Sequence, residues 1–379
     1  MAARRGVTEQ RAGAESPPAR PATHPHLEAL AREARPAGSK AEERARGYAS
    51  RELERLGFSI SREVFTFSDI PGRYGTPIGG ALAALTVLAA ACAGLCGRDP
   101  VVAMSALAGG LVLLGIFTRF MLDPAALAMP WMRAESCNLV ATRGSGDPTV
   151  WLMAHLDSKS QPVSSLVRGA GIVTLLAAIA VAIGAAAWQL DGHDAGFAWL
   201  VAVGFALFGG IPVAASVVGV TSNGAVDNAS GVAAVLAAAA MLEPRARVGV
   251  VLTSAEELGL AGARAWTTTR TAGVALNCDG VDDEGDVTIM YSARRPERLL
   301  ETIAAHLSAG TRVRRMPVAL LTDSVALADR RWQAITVSRG SFATLRRVHT
   351  AGDDLAAMTG RGIPEVATLL ARASEALAR

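Results

Sequence analysis

Five short clusters along the chain set acid or imidazole side chains among apolar ones. They are Ala154-His155-Leu156-Asp157-Ser158, Val226-Asp227-Asn228-Ala229-Ser230-Gly231, Ser254-Ala255-Glu256-Glu257-Leu258-Gly259, Leu276-Asn277-Cys278-Asp279-Gly280 and Val348-His349-Thr350-Ala351-Gly352-Asp353. Carboxylates at the ends of buried strands are expensive unless a positive charge meets them. No Lys or Arg lies inside any cluster, so the residues point to a divalent cation as the compensating charge. Imidazole mixed with carboxylate suits zinc, with manganese or cobalt as other occupants by the same ligand chemistry. Five candidate ligands, one carboxylate of which could bridge, fit two ions. Singly each cluster is weak, since Asp before Asn is commonly a turn and a Glu pair a solvated helix start. Five in order along one domain are far more specific.

The elements that must position these residues follow from periodicity. Ser39-Lys40-Ala41-Glu42 is a capping box, and Ala45, Ala49, Leu53 and Leu56 keep one apolar face through the helix it opens, which ends at Gly57. Strands are expected at Val64 to Phe67, Asn138 to Thr142 and Thr149 to Ala154. From Gly224 the pattern alternates. A helix apolar on nearly every side (Val232 to Leu242) precedes a strand (Val248 to Thr253), a short helix (Leu260 to Thr267) and strands at Val274 to Asn277 and Val287 to Tyr291. A helix at Pro296 to Leu307, a strand at Ala334 to Val337 and a closing helix from Pro364 complete the set. This alternation implies an α/β fold with a largely parallel sheet covered on both sides, and ligands in such folds gather at the carboxyl ends of strands.

The rest of the 379 residues is oily: 51% are hydrophobic and 19% charged, which excludes a mostly disordered chain. A net charge of +3 and 5% aromatics argue against a nucleic-acid partner. Four scattered cysteines make neither a disulfide framework nor a thiolate cluster, which fits a reducing compartment. The apolar surplus sits in four runs without Asp, Glu, Lys or Arg: Pro77 to Cys96, Val101 to Phe117, Gly169 to Leu190 and Gly196 to Val220. Each approaches the roughly 20 residues a helix needs to cross a bilayer. Short polar turns at Gly97 to Pro100 and Asp191 to Ala195 join them into two transmembrane hairpins, 77–118 and 169–220. Arg62, Arg73, Arg119, Arg133, Lys159 and Arg168 flank the hairpins on the side of the remaining chain, so that part is expected in the cytoplasm. The protein is thus expected to be a multi-pass integral membrane protein with the lipid bilayer as a partner. Residues 1–22 read as a disordered basic tail, and 23–379 as one domain interrupted by the two hairpins. The spans hold no Asp, Glu, His, Lys or Arg to line a transport path.

With its five clusters in order, the sequence resembles the co-catalytic zinc aminopeptidases of metallopeptidase family 28. The resemblance runs from about Arg35, where Arg35-Pro36-Ala37-Gly38-Ser39 looks like the family's opening segment, to the closing helix. It implies a mixed sheet sandwiched by helices and two zinc ions per chain. His155 and Asp279 would bind one, Glu257 and His349 the other, and Asp227 would bridge them. Glu256 matches the general base and Asp157 the carboxylate that orients His155. The implied activity is a membrane-anchored aminopeptidase that hydrolyses peptide substrates with a metal-bridged water. Its rivals are a one-zinc glutaminyl-cyclase-like acyltransferase and a non-catalytic membrane receptor or scaffold. Two departures stand out: Thr322-Asp323-Ser324-Val325-Ala326-Leu327 falls where the family usually has Asp-His and then an aromatic, putting Ser324 and Leu327 in the substrate pocket, and a hairpin separates His155 from Asp227. His24, His26, His193 and His306 fit no cluster, Cys92 and Cys96 read as packing within a span, and Cys278 as facing away from Asp279.

Overall fold

The structure, a computed structural model, describes residues 22–317 and 320–379. The basic tail therefore lies outside the described residues, apart from Ala22. The chain opens with α1 (Pro25–Leu30) and α2 (Lys40–Arg55). β1 (Ser59–Ser68) follows, then α3 (Ile70–Cys92), which a π-helical turn at Ala93–Gly97 prolongs, α4 (Pro100–Leu122) and β2 (Arg133–Thr142). β3 (Val150–His155) leads into α5 (Ser165–Leu190) and α6 (Gly196–Ala214). Next come α7 (Gly231–Met241), β4 (Val248–Thr253), α8 (Ala261–Thr267), β5 (Val274–Val281), β6 (Asp286–Tyr291) and α9 (Glu297–Ile303). β7 (Arg312–Arg315), α10 (Asp323–Asp329), β8 (Gln333–Gly340), α11 (Phe342–Arg347) and α12 (Ile363–Ala378) close the fold.

The eight strands form one sheet in the order β1-β2-β4-β3-β5-β8-β6-β7. The central four run parallel, while β1, β2 and β6 pair antiparallel with their inner neighbours, so the sheet is mixed. Side-chain alternation separates its two faces. Val150, Leu152 and Ala154 of β3 join α7 and α12 in one buried core, whereas Trp151 and Met153 turn to α8, α10 and Trp332 in another. Helices on both faces are the expected arrangement for central strands buried on each side.

Some elements escaped the sequence pattern. β7 is an edge strand reading Arg-Val-Arg-Arg, with no apolar alternation to betray it. α1, α10 and α11 span six or seven residues, too few to display a helical period. The capping box is half formed: Ser39 accepts from the Glu42 amide, but the Glu42 carboxylate turns to the Gly38 amide and to Arg46.

Four helices are long and apolar enough to cross a membrane. They start and stop beyond the expected bounds because charge ends an apolar run without ending a helix. Arg73 pairs with Asp69, and Arg119 with Asp123, each four residues apart along the helical ridge. α6 instead stops at Ala214, and Gly219 bridges back to Ser160. The four helices share a core of small residues around the fully buried Trp199, and the backbones of α5 and α6 nearly touch at Gly171 and Gly209. Trp199 Nε1 donates to Gln189 Oε1 (3.0 Å), and Gln189 Nε2 donates to the Gly94 carbonyl (3.0 Å). The outer surface is apolar, with Phe197 81% and Phe208 85% exposed. Cys92 and Cys96 lie on that outer surface instead of packing between helices.

Both insertions are rooted at the same end of the sheet. The first opens from the last rung of the β1–β2 ladder, Ser68 opposite Arg133. Because β2 is antiparallel to β4, this rung lies toward the carboxyl end of β4. The second leaves just beyond His155, the carboxyl end of β3.

Candidate metal centre

The carboxyl ends of β3, β4 and β5 bring the predicted residues together. His155 is the last residue of β3, Glu256 and Glu257 occupy the tight turn leaving β4, and Asp279 sits near the end of β5. Asp227 lies in the kinked segment Ala225–Ser230, where Asp227 and Asn228 leave helical geometry, just ahead of α7, and His349 follows α11. Ala255 and His349 hold φ of +54° and +67° without being glycine, each at a cost of roughly 1 kcal/mol. Such conformations persist only where the surroundings enforce them.

Asp227 divides its two oxygens between two groups. Oδ1 lies 3.1 Å from His155 Nε2, which is also 3.8 Å from Asp279 Oδ1. Oδ2 lies 2.9 Å from His349 Nε2, which is 3.3 Å from Glu257 Oε1. In each set of three residues, the ligand atoms fall within 4.8 Å of one another.

The donor set fits divalent metal. His155 Nδ1 lies 3.0 Å from the Asp157 carbonyl oxygen, which can only accept, so Nδ1 carries a proton, and a neutral ring would turn a bare Nε2 toward carboxylate oxygens. Lone pairs facing one another at this range need a cation or a proton between them. Accordingly, although burial would lower the His155 pKa, Glu256, Asp157, Asp227 and Asp279 together hold it well above the usual value. Asp227 Oδ1 and Glu257 Oε1 are buried without a hydrogen-bond partner. Burial, with mutual repulsion, pushes Glu256 well above the ordinary carboxylate range and raises Asp279, the mark of an acid cluster short of positive charge.

Other residues hold this arrangement. The Asp157 carboxylate accepts the amides of Glu256 and Glu257 (3.2 Å each), fixing the turn that presents both, and lies 3.5 Å from His155 Nδ1. Asp353 accepts the amides of Val226 (2.7 Å) and Asp227 (3.1 Å). Burial pushes its carboxyl up to about 6. Asp353 stood within the fifth cluster, but only tertiary structure shows its task. Arg35, 1% exposed, donates to the carbonyls of Leu30, Leu156, Asn223 and Gly224, tying the loop after β3 to the loop before Asp227.

Two further contacts were not expected. Lys159 Nζ meets Glu257 Oε2, so a lysine just outside the first cluster supplies part of the missing charge. It draws the Glu257 carboxyl down to about 2 although burial alone would raise it. Ser165 Oγ lies 2.8 Å from His349 Nδ1, and the Gln161 amide donates to the His349 carbonyl (2.7 Å). Nothing local in the sequence marked Glu257 as the partner of Lys159, or His349 as that of Ser165. Ser324 and Leu327, expected in the substrate pocket, are both 0% exposed. Ser324 bonds to Thr336 and Leu327 packs with Trp266 and Trp332, because α10 buries that side against the sheet.

Comparison with known proteins adds to this geometry. Residues 210–374 match the model of peptidase family M28. The M28 match spans four of the five clusters, Asp227 through His349. An aminopeptidase from Aneurinibacillus sp. strain AM-1 superposes with a TM-score of 0.53 at 14% identity, over 93% of this chain and 92% of that one. A zinc aminopeptidase from Bacillus subtilis gives 0.53 at 12% identity over 92% of each chain. The glutaminyl cyclase of Macrostomum lignano gives 0.51 at 12% identity, over 93% and 88%. A search of curated protein sequences finds no match. At these identities the likeness establishes the fold, mixed α/β with helices on both faces as in the zinc aminopeptidases. Together with the M28 match it supports a peptide hydrolase.

Proposed function

We propose that this protein is a membrane-anchored aminopeptidase dependent on two zinc ions. The observation that carries the reading is the divided carboxylate of Asp227, one oxygen toward His155 and Asp279 and the other toward Glu257 and His349. Two complete sets sharing one carboxylate argue against a one-zinc enzyme of glutaminyl-cyclase type. Zinc bound there would lower the pKa of water and polarise the scissile carbonyl.

The chain's own residues supply the rest. Asp227 and Glu257 hold charge toward the centre, and Asp157 fixes the turn that carries Glu256. Glu256, 6% exposed in the turn leaving β4 and next to Glu257, is the carboxylate placed to take a proton from the attacking water and hand it to the departing amine. In this reading the four apolar helices anchor the protein in a bilayer, and the basic residues at their sheet-side ends support a cytoplasmic sheet.

The test is Glu256→Gln. Zinc content should stay near two per chain while hydrolysis of an aminoacyl peptide falls by about 100-fold to 10,000-fold, as for loss of a general base. Full activity with metal retained would remove Glu256 from that role, and a wild-type protein that takes up no zinc would defeat the metal reading.

A further inference from the structure

Both hairpin roots and the metal centre share one end of the sheet, which fixes where the centre lies relative to lipid. We propose that it opens onto the membrane surface and that its substrates are peptides tethered to the bilayer, taken by an N-terminus emerging within a few residues of the lipid. The inference rests on the aminopeptidase reading and names its substrate class.

Ser165, the first residue of α5, touches His349. The uninterrupted apolar run begins four residues on, at Gly169. At about 1.5 Å of rise per residue, that is roughly 6 Å along the helix. The space beside Glu257 is bounded by hairpin roots too: a cavity of about 40 Å³ is lined by Asp157, Lys159, Glu257, Arg73 of the first turn of α3, and the Val218 to Val220 strand of chain after α6.

α11 packs against α5 and leads straight into His349. Thr344 is its buried residue, while Phe342 is 76% and Leu345 42% exposed, with Arg346 exposed beside them. Positions i, i+3 and i+4 share one side of a helix, so α11 presents an apolar and basic face. Val167 in the first turn of α5 is likewise exposed, at 46%. A face of this composition, on a helix packed against α5, suits the headgroup boundary of the same bilayer. Phe342 and Leu345 then touch lipid and not peptide. A tethered peptide reaches such a centre at high effective concentration, whereas an untethered one has no such advantage.

The experiment uses the full chain in zinc-loaded liposomes of phosphatidylcholine and phosphatidylglycerol. Substrates are one peptide untethered, and the same peptide carrying a C-terminal dipalmitoyl anchor behind spacers of graded length. An extended residue spans about 3.3 Å, so six residues reach roughly 20 Å. Six-residue spacers should raise kcat/KM at least about tenfold over the untethered peptide, a modest share of the gain tethering allows. The double variant Phe342→Ser/Leu345→Ser should lose most of that gain with zinc content and the untethered rate unchanged. Independently of activity, the emission that Phe342→Trp adds to that of the six native tryptophans, read as the difference from the unsubstituted protein, should be quenched by lipids brominated near the headgroup. A gain seen only with spacers beyond about 20 residues, no gain at all, or unquenched emission would overturn the proposal. Cleavage of the untethered peptide without a tether gain sinks this inference alone; quenched emission with neither peptide cut sinks the peptidase reading and the substrate class with it.

Discussion

The two apolar insertions look alike in length and composition yet differ in what they are attached to. The first is spliced into the β1–β2 hairpin, whose ten-rung register from Ser59 opposite Thr142 to Ser68 opposite Arg133 holds its root without help from any candidate metal ligand. The second is inserted between His155 and Asp227, two such ligands, and its root is closed by the bridge Ser160 to Gly219 and by hydrogen bonds that join Ser158, Ser160 and Gln161 to Ser222, Thr221 and Ser216. Its first residue also bonds to a third, His349. The difference teaches that an insertion tolerated at a sheet edge can be a passive anchor, whereas one placed inside the ligand order becomes part of the site.

The largest effect that would sharpen this contrast is expected where the second hairpin returns to the sheet. Asp227→Ala removes the carboxylate shared by both sets, so metal analysis should show both zinc ions depleted and peptide hydrolysis at the background rate. Retention of two tightly held ions would show that the exit of this hairpin is not the bridge. A smaller effect is expected at its entrance. Ser165→Ala should weaken zinc binding about 10-fold to 100-fold, the usual consequence of removing the partner that orients a ligating imidazole. An unchanged zinc titration would make the second hairpin as passive as the first. The smallest effect concerns the tips. Arg98→Cys and Asp194→Cys should leave hydrolysis at the wild-type rate while both become reactive to an impermeant thiol reagent from outside the cell, in a background lacking Cys92 and Cys96. Labelling only in inside-out vesicles would reverse the proposed orientation.

Much of the fold was legible because its signals are local. Val248 to Thr253 shows as a strand from its valines alone, and its bounds are those found. The buried helix after Asp227 shows from having no polar face. The hairpins were legible as apolar runs, but their helices extend into Arg73, Arg119 and Arg168, where hydropathy stops and backbone hydrogen bonding does not. The side chains that gather at the centre were legible as types: acids and imidazoles at strand ends with no cation among them. What was not legible is pairwise and distant. Lys159 meets Glu257, Arg35 meets Asn223, and Ser165 meets His349 across separations that no sequence period records.

The Arg35 clamp also has a consequence in time. Its guanidinium emerges 188 residues ahead of the Asn223 carbonyl it will hold. At about 5–20 residues per second, that is a delay of roughly 10–40 s during synthesis. Both hairpins are made within this interval, and Asp227, Glu257, Asp279 and His349 are translated only after it. A ribosome-bound chain thus has its four apolar segments available for membrane insertion before it can assemble a ligand set.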